Sequence, residues 1–396
     1  MNNINKYYLS GIFLFLFLTG CVESRNGVDI PEHIQNLDGL TVYDRGEEPV
    51  TEIDFQKEQV FGDLDDVHIG NLWAFDVDKS GRVYIADVQE MDIKVYDSEG
   101  KFLSTLGREG SGPGEFRELS NIQIMDNLLF VFDRNQQRIL KYDTESRQFV
   151  NDIGIAGNRS EYEEVQDAHL NNIFIRDNFS FLMEFSKSRM PENANTWDHF
   201  PGSRMYYLLD TDGNISSVKL LETKSTYQVL VPMAGRSIGT PVDFFGNTLI
   251  QLSGENKILI AWSEEFLVKK YSSSGEYMSA FYRPLEREEF TPEHSFEGAD
   301  EDFIEEAARS IDFPKTWPAL NDLLVDDENR LWVSTIVEDF DVYEWWVLKS
   351  SGEVIAKFEW PRDKPIRKVK NGYAYTLETE EETGLQTVVR YSIEMD

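Results

Sequence analysis

The sequence predicts an all-β fold, a six-bladed β-propeller built from four-stranded antiparallel blades. The stretch from 78 to 116 contains three short strand-like runs, separated by turns rich in Asp and Gly and followed by a glycine-proline loop. Similar units recur along the 396 residues, which include 26 Phe, 17 Tyr and 8 Trp and no helical heptads. Short strands at this spacing indicate antiparallel meanders. Regular recurrence of a meander is typical of a propeller.

The unit at 78–116 shows how each strand is bounded. Turn residues occupy 78–81 and 97–100, and the loop at 107–114 ends the unit. Asp and Asn side chains bond to the backbone of such turns, and Gly adopts the positive φ that hairpin turns need. The predicted strands between these turns are 82–86, 93–96 and 101–106.

Each repeat can be recognised at the end of its third strand, where two strand residues are followed by Asp or Ser. It occurs at Val95-Tyr96-Asp97, Lys141-Tyr142-Asp143, Leu208-Leu209-Asp210, Lys270-Tyr271-Ser272, Leu348-Lys349-Ser350 and Arg390-Tyr391-Ser392. The turn before the second strand recurs as well, at Asp126, Asp177, Gly246, Asp327 and Lys370. The predicted blades therefore lie near 66–107, 117–153, 165–222, 240–283, 318–359 and 365–396.

The last predicted blade is short of one strand. It stops at Asp396 just after its third strand, whereas strand-like segments at 40–43 and 50–55 precede the first blade. We expect one of these two N-terminal segments to complete the last blade, so that this blade comprises 365–396 plus a strand from 40–61. This pairing would tie the ends of the ring together and leave no long unpaired edge.

The first residues are predicted to lie outside the propeller. Residues 9–18 form an apolar run that is too short to span a bilayer core of roughly 30 Å and fits a secretory signal peptide. The run ends in Leu18-Thr19-Gly20-Cys21, which resembles a bacterial lipobox and implies cleavage before Cys21 and its lipidation. The predicted divisions are a signal peptide at 1–20, a tether at 21–39 and the propeller at 40–396.

A lipidated Cys21 would make the membrane a partner and place the protein in the cell envelope. Val22 after the cysteine favours the outer membrane, by analogy with known sorting signals, on either its periplasmic or its surface side. An ordinary secreted protein and a short buried strand are the alternatives for this segment. Because Cys21 is the only cysteine, the mature chain is expected to have no disulfide.

The formal net charge of −34 excludes one class of partner. A chain this acidic repels a phosphate backbone, so we expect no nucleic-acid binding. Solubility or a saline habitat explains the acidic excess without a specific cationic partner.

The long insertions are expected to share one face of the ring. In a meander, the loops between second and third strands and the connections between blades emerge on the same side. The long segments fall in these positions, at 108–119, 156–165, 186–205, 223–240, 284–318 and 337–343. A rigid scaffold that collects loops on one side commonly uses them for binding. The alternative is that the loops only shield the mouth of the ring.

The insertion between the fourth and fifth blades is predicted to contain a helix. Ala299-Asp300 offers an N-cap, and Glu301 and Asp302 complement the helix dipole. An apolar stripe follows at helical spacing, formed by Phe303, Ile304, Ala307, Ala308 and Ile311. We expect the stripe to pack on the mouth of the ring as a lid, with a partner-binding helix as the alternative.

The insertions also carry the candidate binding residues. They are aromatic residues and the few arginines of an acidic chain: Arg117, Arg189, Trp197, His199, Arg204, Tyr227, Arg236, Trp317 and Tyr343. Aromatic and guanidinium groups suit a glycan, a peptide, another envelope protein or an acidic ligand. The alternative is that the aromatics pack the loops and the arginines neutralise nearby carboxylates.

Catalysis is the second hypothesis, in the form of a propeller hydrolase or lyase with a metal at the ring mouth, as in lactonases. The five histidines show no paired metal spacing; they are His33, His68, His169, His199 and His294. No cofactor is predicted. The segment from Asp76 to Gly81 matches the start of a calcium loop, but Asp87 stands where that loop needs Glu. A hairpin turn is therefore favoured, with calcium as its alternative.

The loop sequence GREGSGPGEF at 107–116 resembles that of NHL-type propellers. With the lipobox, Trp317-Pro318 and Leu331-Trp332-Val333, the chain is similar to the six-bladed β-propeller lipoproteins of Bacteroidetes-like bacteria, an NHL-repeat or TolB-like propeller family. The resemblance implies the fold and an envelope location, without a settled activity. The third and fourth units depart from the pattern. We therefore expect a binding or interaction module, with an enzyme or a structural envelope component as alternatives.

Overall fold

A computed structural model describes residues 30–62, 67–187, 193–233, 236–242, 244–295, 306–307 and 309–395. Within these residues the chain is almost entirely β-structure, with 26 strands in six sheets. The N-terminal part contributes a short helix and the first two strands: α1 (Glu32–Gln35), β1 (Leu40–Val42) and β2 (Ile53–Phe61).

Sheets 1 and 2 are four-stranded antiparallel meanders. Sheet 1 contains β3 (Leu72–Val77), β4 (Val83–Asp87), β5 (Asp92–Tyr96) and β6 (Phe102–Leu106). Sheet 2 contains β7 (Leu119–Met125), β8 (Leu128–Asp133), β9 (Arg138–Asp143) and β10 (Gln148–Gly154). Two short 3₁₀ turns, Arg159–Glu161 and Glu163–Val165, lead to the next sheet.

Sheets 3 and 4 have five strands each. Sheet 3 contains β11 (His169–Ile175), β12 (Phe181–Lys187), β13 (His199–Leu209), β14 (Leu221–Met233) and β15 (Arg236–Val242). Sheet 4 contains β16 (Thr248–Leu252), β17 (Ile258–Trp262), β18 (Leu267–Tyr271) and β19 (Tyr277–Tyr282), with β1 parallel to β19 as its outermost strand. The prediction of four strands is therefore wrong for these two sheets.

Sheets 5 and 6 follow a connection that includes the 3₁₀ turn Pro292–His294. Sheet 5 contains β20 (Leu320–Val325), β21 (Leu331–Ile336), β22 (Val342–Leu348) and β23 (Val354–Pro361). Sheet 6 contains β24 (Ile366–Lys370), β25 (Tyr373–Thr379) and β26 (Gln386–Met395). Its outer strand is β2, which pairs antiparallel with β26, so the N-terminal segment completes the last sheet as the sequence predicts.

The turn chemistry inferred from the sequence is visible at Asp78. Its Oδ1 accepts hydrogen bonds from the backbone N–H groups of Ser80 (2.8 Å) and Arg82 (3.0 Å), and Arg82 Nε donates to Oδ2 (2.6 Å). Gly81 has a φ of +82°, which a side chain would disfavour. Asp326 and Arg330 repeat this arrangement in sheet 5, with the Arg330 Nε donating to Asp326 Oδ2 at 2.6 Å. These Asp-x-x-x-Arg turns join the first and second strands of their sheets.

Apolar clusters hold the sheets face to face. Each sheet shares a buried cluster with the next one along the chain, and sheet 6 shares one with sheet 1. Polar contacts reinforce the last junction, where Lys368 donates to Asp76 Oδ1 and Lys370 donates to the Val77 carbonyl. Sheets arranged in this way around an axis form a β-propeller.

Three predictions about local structure are wrong, in whole or in part. The segment 223–240, expected to be a loop, is the long hairpin of β14 and β15. The turn at Gly246 precedes the first strand of sheet 4, whereas the sequence analysis placed it before the second strand. Part of the predicted 186–205 insertion also belongs to β13.

The two strand-like N-terminal segments belong to different sheets. The 40–43 segment does not close the last sheet, because β1 extends sheet 4. The predicted signal peptide, the lipobox and the first part of the tether, 21–29, lie outside the described residues. Among the described residues, no helix is long and apolar enough to cross a membrane.

Candidate ligand-binding surface

The insertions of sheets 3, 4 and 5 meet in one apolar cluster, which we call the insertion cluster. It joins the loop before β13, the β14–β15 hairpin, the connection between sheets 4 and 5, and the loop after β21. Its buried members are Trp197, Val229, Phe244, Phe245, Ala307, Ile311 and Trp317. Because these elements touch one another, they lie on the same side of the molecule, which we call the long-loop face.

Two predicted binding residues form the interior of this cluster. Trp197 is 7% exposed and Trp317 is 6% exposed. Trp317 packs against Phe290 and Phe340, with ring centroids 4.7 and 5.5 Å away. For these two residues the structure agrees with the alternative stated above, that insertion aromatics pack the loops. Burying a side chain of this size is worth several kcal/mol, so the layer is a second core.

A line of aromatic rings borders the insertion cluster, and we call it the aromatic row. His199 stacks on Phe245 at a centroid distance of 4.1 Å, and Tyr227 lies 5.3 Å from Phe245. Trp262 continues the line, 6.4 Å from Tyr227. His199, Tyr227 and Trp262 are half-buried, whereas Phe245 is buried beneath them. The row thus combines two predicted residues with two that the sequence analysis missed.

Charged groups stand at the Trp262 end of the aromatic row. The ammonium group of Lys224, an exposed residue, lies 5.0 Å from the centre of the Trp262 ring, in cation–π range. The Trp262 Nε1 donates to Glu264 Oε2 at 2.6 Å. Burial raises the pKa of Tyr227, so its hydroxyl is a neutral donor and acceptor at physiological pH. The surface therefore offers aromatic faces, a hydroxyl, an ammonium and a carboxylate.

Arg204, another predicted residue, lies on β13 and bonds to sheet 4. Its guanidinium donates to the Thr248 carbonyl (3.0 Å) and to Asn247 Oδ1 (3.1 Å). It also lies 3.4 Å from Glu184 Oε1, a carboxylate that is 1% exposed and accepts a hydrogen bond from Tyr206. Arg204 therefore neutralises a buried carboxylate and joins sheets 3 and 4.

The remaining predicted residues lie elsewhere. Arg117 is exposed on the loop before β7, where its Nε donates to Ser111 Oγ at 2.9 Å. Tyr343 stacks under the guanidinium of Arg362 at 4.3 Å. Arg189, Cys21 and the side chain of Arg236 lie outside the described part of the chain.

A second exposed feature of the same face surrounds the axis, and the sequence analysis missed it. Five first strands have a β-bulge near their start, at Trp73, Ser120, Asn171, Asn321 and Arg367. We call these positions the axial mouth. Trp73 is 62% exposed, and its Nε1 donates to the Ser120 carbonyl at 3.0 Å. The sequence carries one signal for this feature: Trp73 is aromatic, whereas the other four bulge residues are polar or charged.

One buried carboxylate behind the axial mouth, Asp76, is held in an ion pair. Asp76 is 2% exposed, accepts a hydrogen bond from the Ile124 N–H (2.7 Å) and forms an ion pair with Lys368. Burial alone would raise the pKa of Asp76, but Lys368 and Lys370 outweigh it and lower the pKa. The carboxylate therefore stays ionised and holds sheets 6, 1 and 2 together.

No group of three or more His, Cys, Asp or Glu side chains is positioned to hold a metal ion within the described ranges. Asp78, the third residue of the calcium-like segment, has a carboxylate that accepts hydrogen bonds from Ser80 and Arg82. Two of the five histidines stack on aromatic rings, His199 on Phe245 and His294 on Phe340.

Comparison with known proteins supports the fold. Residues 64–191 match the model of a family, DUF5128, described as a 6-bladed beta-propeller. A search of the curated proteins found no match. Among solved structures, a member of the DUF4221 family from Bacteroides vulgatus has a TM-score of 0.50 at 10% identity, covering 87% of this chain and 99% of that one.

Two further structures are similar at lower scores. A protein from Bacteroides fragilis described as exported has a TM-score of 0.49 at 12% identity, covering 90% of this chain and 99% of that one. A virginiamycin B lyase from Staphylococcus aureus has a TM-score of 0.41 at 10% identity, covering 86% and 99%. The resemblance to Bacteroidetes-like six-bladed propellers is thus confirmed: residues 64–191 match a six-bladed β-propeller family, and the chain folds as a β-propeller.

Proposed function

We propose that this protein is a lipid-anchored β-propeller of the cell envelope that works by binding, and that the aromatic row on its long-loop face contacts the ligand. The observation that carries the proposal is the half-buried line of His199, Tyr227 and Trp262 over Phe245. Rings held in place by packing lose little conformational freedom on binding, which makes them effective contact residues.

The chemistry of the aromatic row fits an extended glycan or peptide. Flat ring faces pack against sugar rings or apolar side chains, while Lys224 and Glu264 can bond to polar groups of either sign. The rigidity of the layer beneath supports this role, because Phe245 belongs to the insertion cluster. Another envelope protein would bind through a peptide segment of the same kind.

The proposed ring has six blades, one for each sheet. The shared cluster between sheets 6 and 1 and the β2–β26 pairing support closure. The helical lid predicted at 299–311 is part of the same proposal. Ala307 and Ile311 from its apolar stripe are buried in the insertion cluster, which supports packing against the ring. Phe303, Ile304 and Ala308 lie outside the described residues.

The envelope location rests on the lipobox sequence, and the outer membrane on Val22. Cys21→Ala should abolish lipidation, so the variant should leave the membrane fraction. A variant that stays membrane-bound and is processed normally would contradict the anchor without affecting the binding proposal.

The binding proposal is tested with arrays of oligosaccharides and of short peptides, followed by calorimetric titration of any ligand found. Trp262→Ala and Tyr227→Ala should each weaken binding roughly tenfold or more, because each removes a packed contact face. Trp73→Ala is the matched control, since it removes an exposed aromatic residue from the same face. Binding that depends on Trp73 and not on Trp262 would overturn the assignment to the aromatic row.

A further inference from the structure

A separate cavity lies between sheets 4 and 5, away from the aromatic row, and we call it the rim pocket. Its volume is about 270 Å³, and its lining includes Arg45, Arg283, Glu286, Glu344, Trp346 and Lys357. Glu344 and Trp346 are two residues apart on β22, so their side chains share one face of the strand. Lys357 pairs with Trp346 across the neighbouring strand β23. These three residues thus form one continuous wall.

Arg283 forms the floor of the rim pocket. Its side chain is 3% exposed, and one Nη donates to Glu47 Oε2 and to the Gly352 carbonyl, each at 2.6 Å. The guanidinium lies 4.3 Å from the ring centre of Tyr43 and 5.4 Å from that of Trp346. Its buried Nε has no hydrogen-bond partner among the described residues.

Two opposite charges in the wall lack close partners. The Lys357 ammonium lies 3.6 Å above the Trp346 ring, and no described carboxylate oxygen comes within 4.0 Å of it. Burial lowers the pKa of Lys357 and raises the pKa of Glu344. Nearby opposite charges therefore do not fully offset the cost of burying either ionised group. Trp346 and Lys357 lie close enough to Glu344 to favour its ionised form in part.

The rim pocket is also lined by Asp44 and by Arg45 and Glu286, which lie 4.0 Å apart at the exposed entrance, while Glu47 neutralises Arg283. One cation, Lys357, and two anions, Glu344 and Asp44, therefore lack an ion-pair partner within 4.0 Å among the described residues, beside the Trp346 ring. A simple anion would meet Glu344, and a simple amine would meet Lys357, so neither suits the whole pocket.

We propose that the rim pocket binds a small zwitterion with the size and charge pattern of a free α-amino acid. Its carboxylate would accept hydrogen bonds from Lys357. Its ammonium would pair with Glu344, and its side chain would pack on Trp346. This site is independent of the proposed function, because it shares no residue with the aromatic row.

The test is calorimetric titration of the full chain with a panel of L-amino acids and with matched compounds that carry only the amine or only the carboxylate. At least one amino acid should bind, and the singly charged analogues should bind at least tenfold more weakly. Lys357→Met and Glu344→Gln should each weaken binding roughly tenfold or more. Asp363→Asn, at an exposed position just after β23 that does not line the rim pocket, is the matched control and should bind like the unchanged protein.

Each variant is first checked for an unchanged unfolding transition. Three results would overturn the proposal: no amino acid of the panel binds, a singly charged analogue binds as tightly, or Asp363→Asn weakens binding as much as Glu344→Gln. Loss of glycan or peptide binding in Trp262→Ala with intact amino-acid binding would separate the two sites.

Discussion

Replacing Phe61 with Ala should destabilise the whole propeller, because this residue anchors the N-terminal strand that completes the last sheet. Phe61 is fully buried at the end of β2, 6.5 Å from Tyr96 in sheet 1, and shares a cluster with Val388 of β26. Removal of a buried Phe side chain costs about 3–5 kcal/mol, because transfer free energy is lost and a cavity remains. We expect the free energy of unfolding to fall by that amount.

The assay is equilibrium unfolding in urea, followed by tryptophan fluorescence and by circular dichroism. Gln56→Ala is the matched control, because Gln56 lies exposed on the same strand and should change the free energy by about 0.5 kcal/mol or less. Equal, small effects of both substitutions would show that β2 is not part of the core. In that case the closure of the ring by the N-terminal segment would be refuted.

Three further predictions concern the stability of the same fold. Burial alone would raise the pKa of Asp78, but hydrogen bonds from Ser80 and Arg82 outweigh it and lower the pKa. The stability that Asp78 contributes is therefore present above an unfolded pKa of about 4 and is lost as the pH falls through the lower folded pKa. Asp78→Asn should reduce this acid-dependent loss of stability in urea titrations, and an unchanged pH profile would contradict the prediction. Trp317→Ala should cost about 3–5 kcal/mol and Trp73→Ala less than about 1 kcal/mol in the same assay; equal costs would show that the insertion cluster is not a core. Gly213→Ala should lower the thermal midpoint, because its added Cβ would lie 2.1 Å from the Gly154 carbonyl oxygen at a φ of +82°, and an unchanged midpoint would show that this contact relaxes freely.

Local chemistry made much of the scaffold predictable. Asp78 and Gly81 predicted a hairpin turn, because the carboxylate accepts backbone N–H groups of such a turn and glycine adopts its positive φ. The structure shows both roles. The missing outer strand of the last unit, together with unused strands before the first, predicted the pairing of β2 with β26. Both inferences depend on residues that are close in sequence or on simple counting of strands.

The parts that failed depend on tertiary context. The sequence predicts an insertion at 223–240, whereas the structure has the β14–β15 hairpin there, with β15 added as the outer strand of sheet 3. The turn at Gly246 resembles a hairpin turn, so its position in the meander could not be read from composition. Local patterns of this kind do not identify the partner strand.

The candidate surface was only partly predictable. His199 and Tyr227 stood out as aromatic residues in insertions, and the structure brings them within 5.9 Å of each other. Trp262 ends an ordinary strand of sheet 4, and nothing near it in the sequence connects it to Tyr227. Trp197 and Trp317 are also aromatic residues in insertions, yet both are buried. Aromatic content alone does not distinguish a contact surface from a second core.

The most direct test of the binding surface is hydrogen–deuterium exchange of the full chain, measured by mass spectrometry with and without a ligand selected on the glycan and peptide arrays. We predict slower exchange on binding in 199–209, 221–233, 244–245 and 258–265, the segments that carry the aromatic row and its neighbours. Protection confined to β3 and β24, the strands that carry Trp73 and Arg367 at the axial mouth, would contradict the assignment.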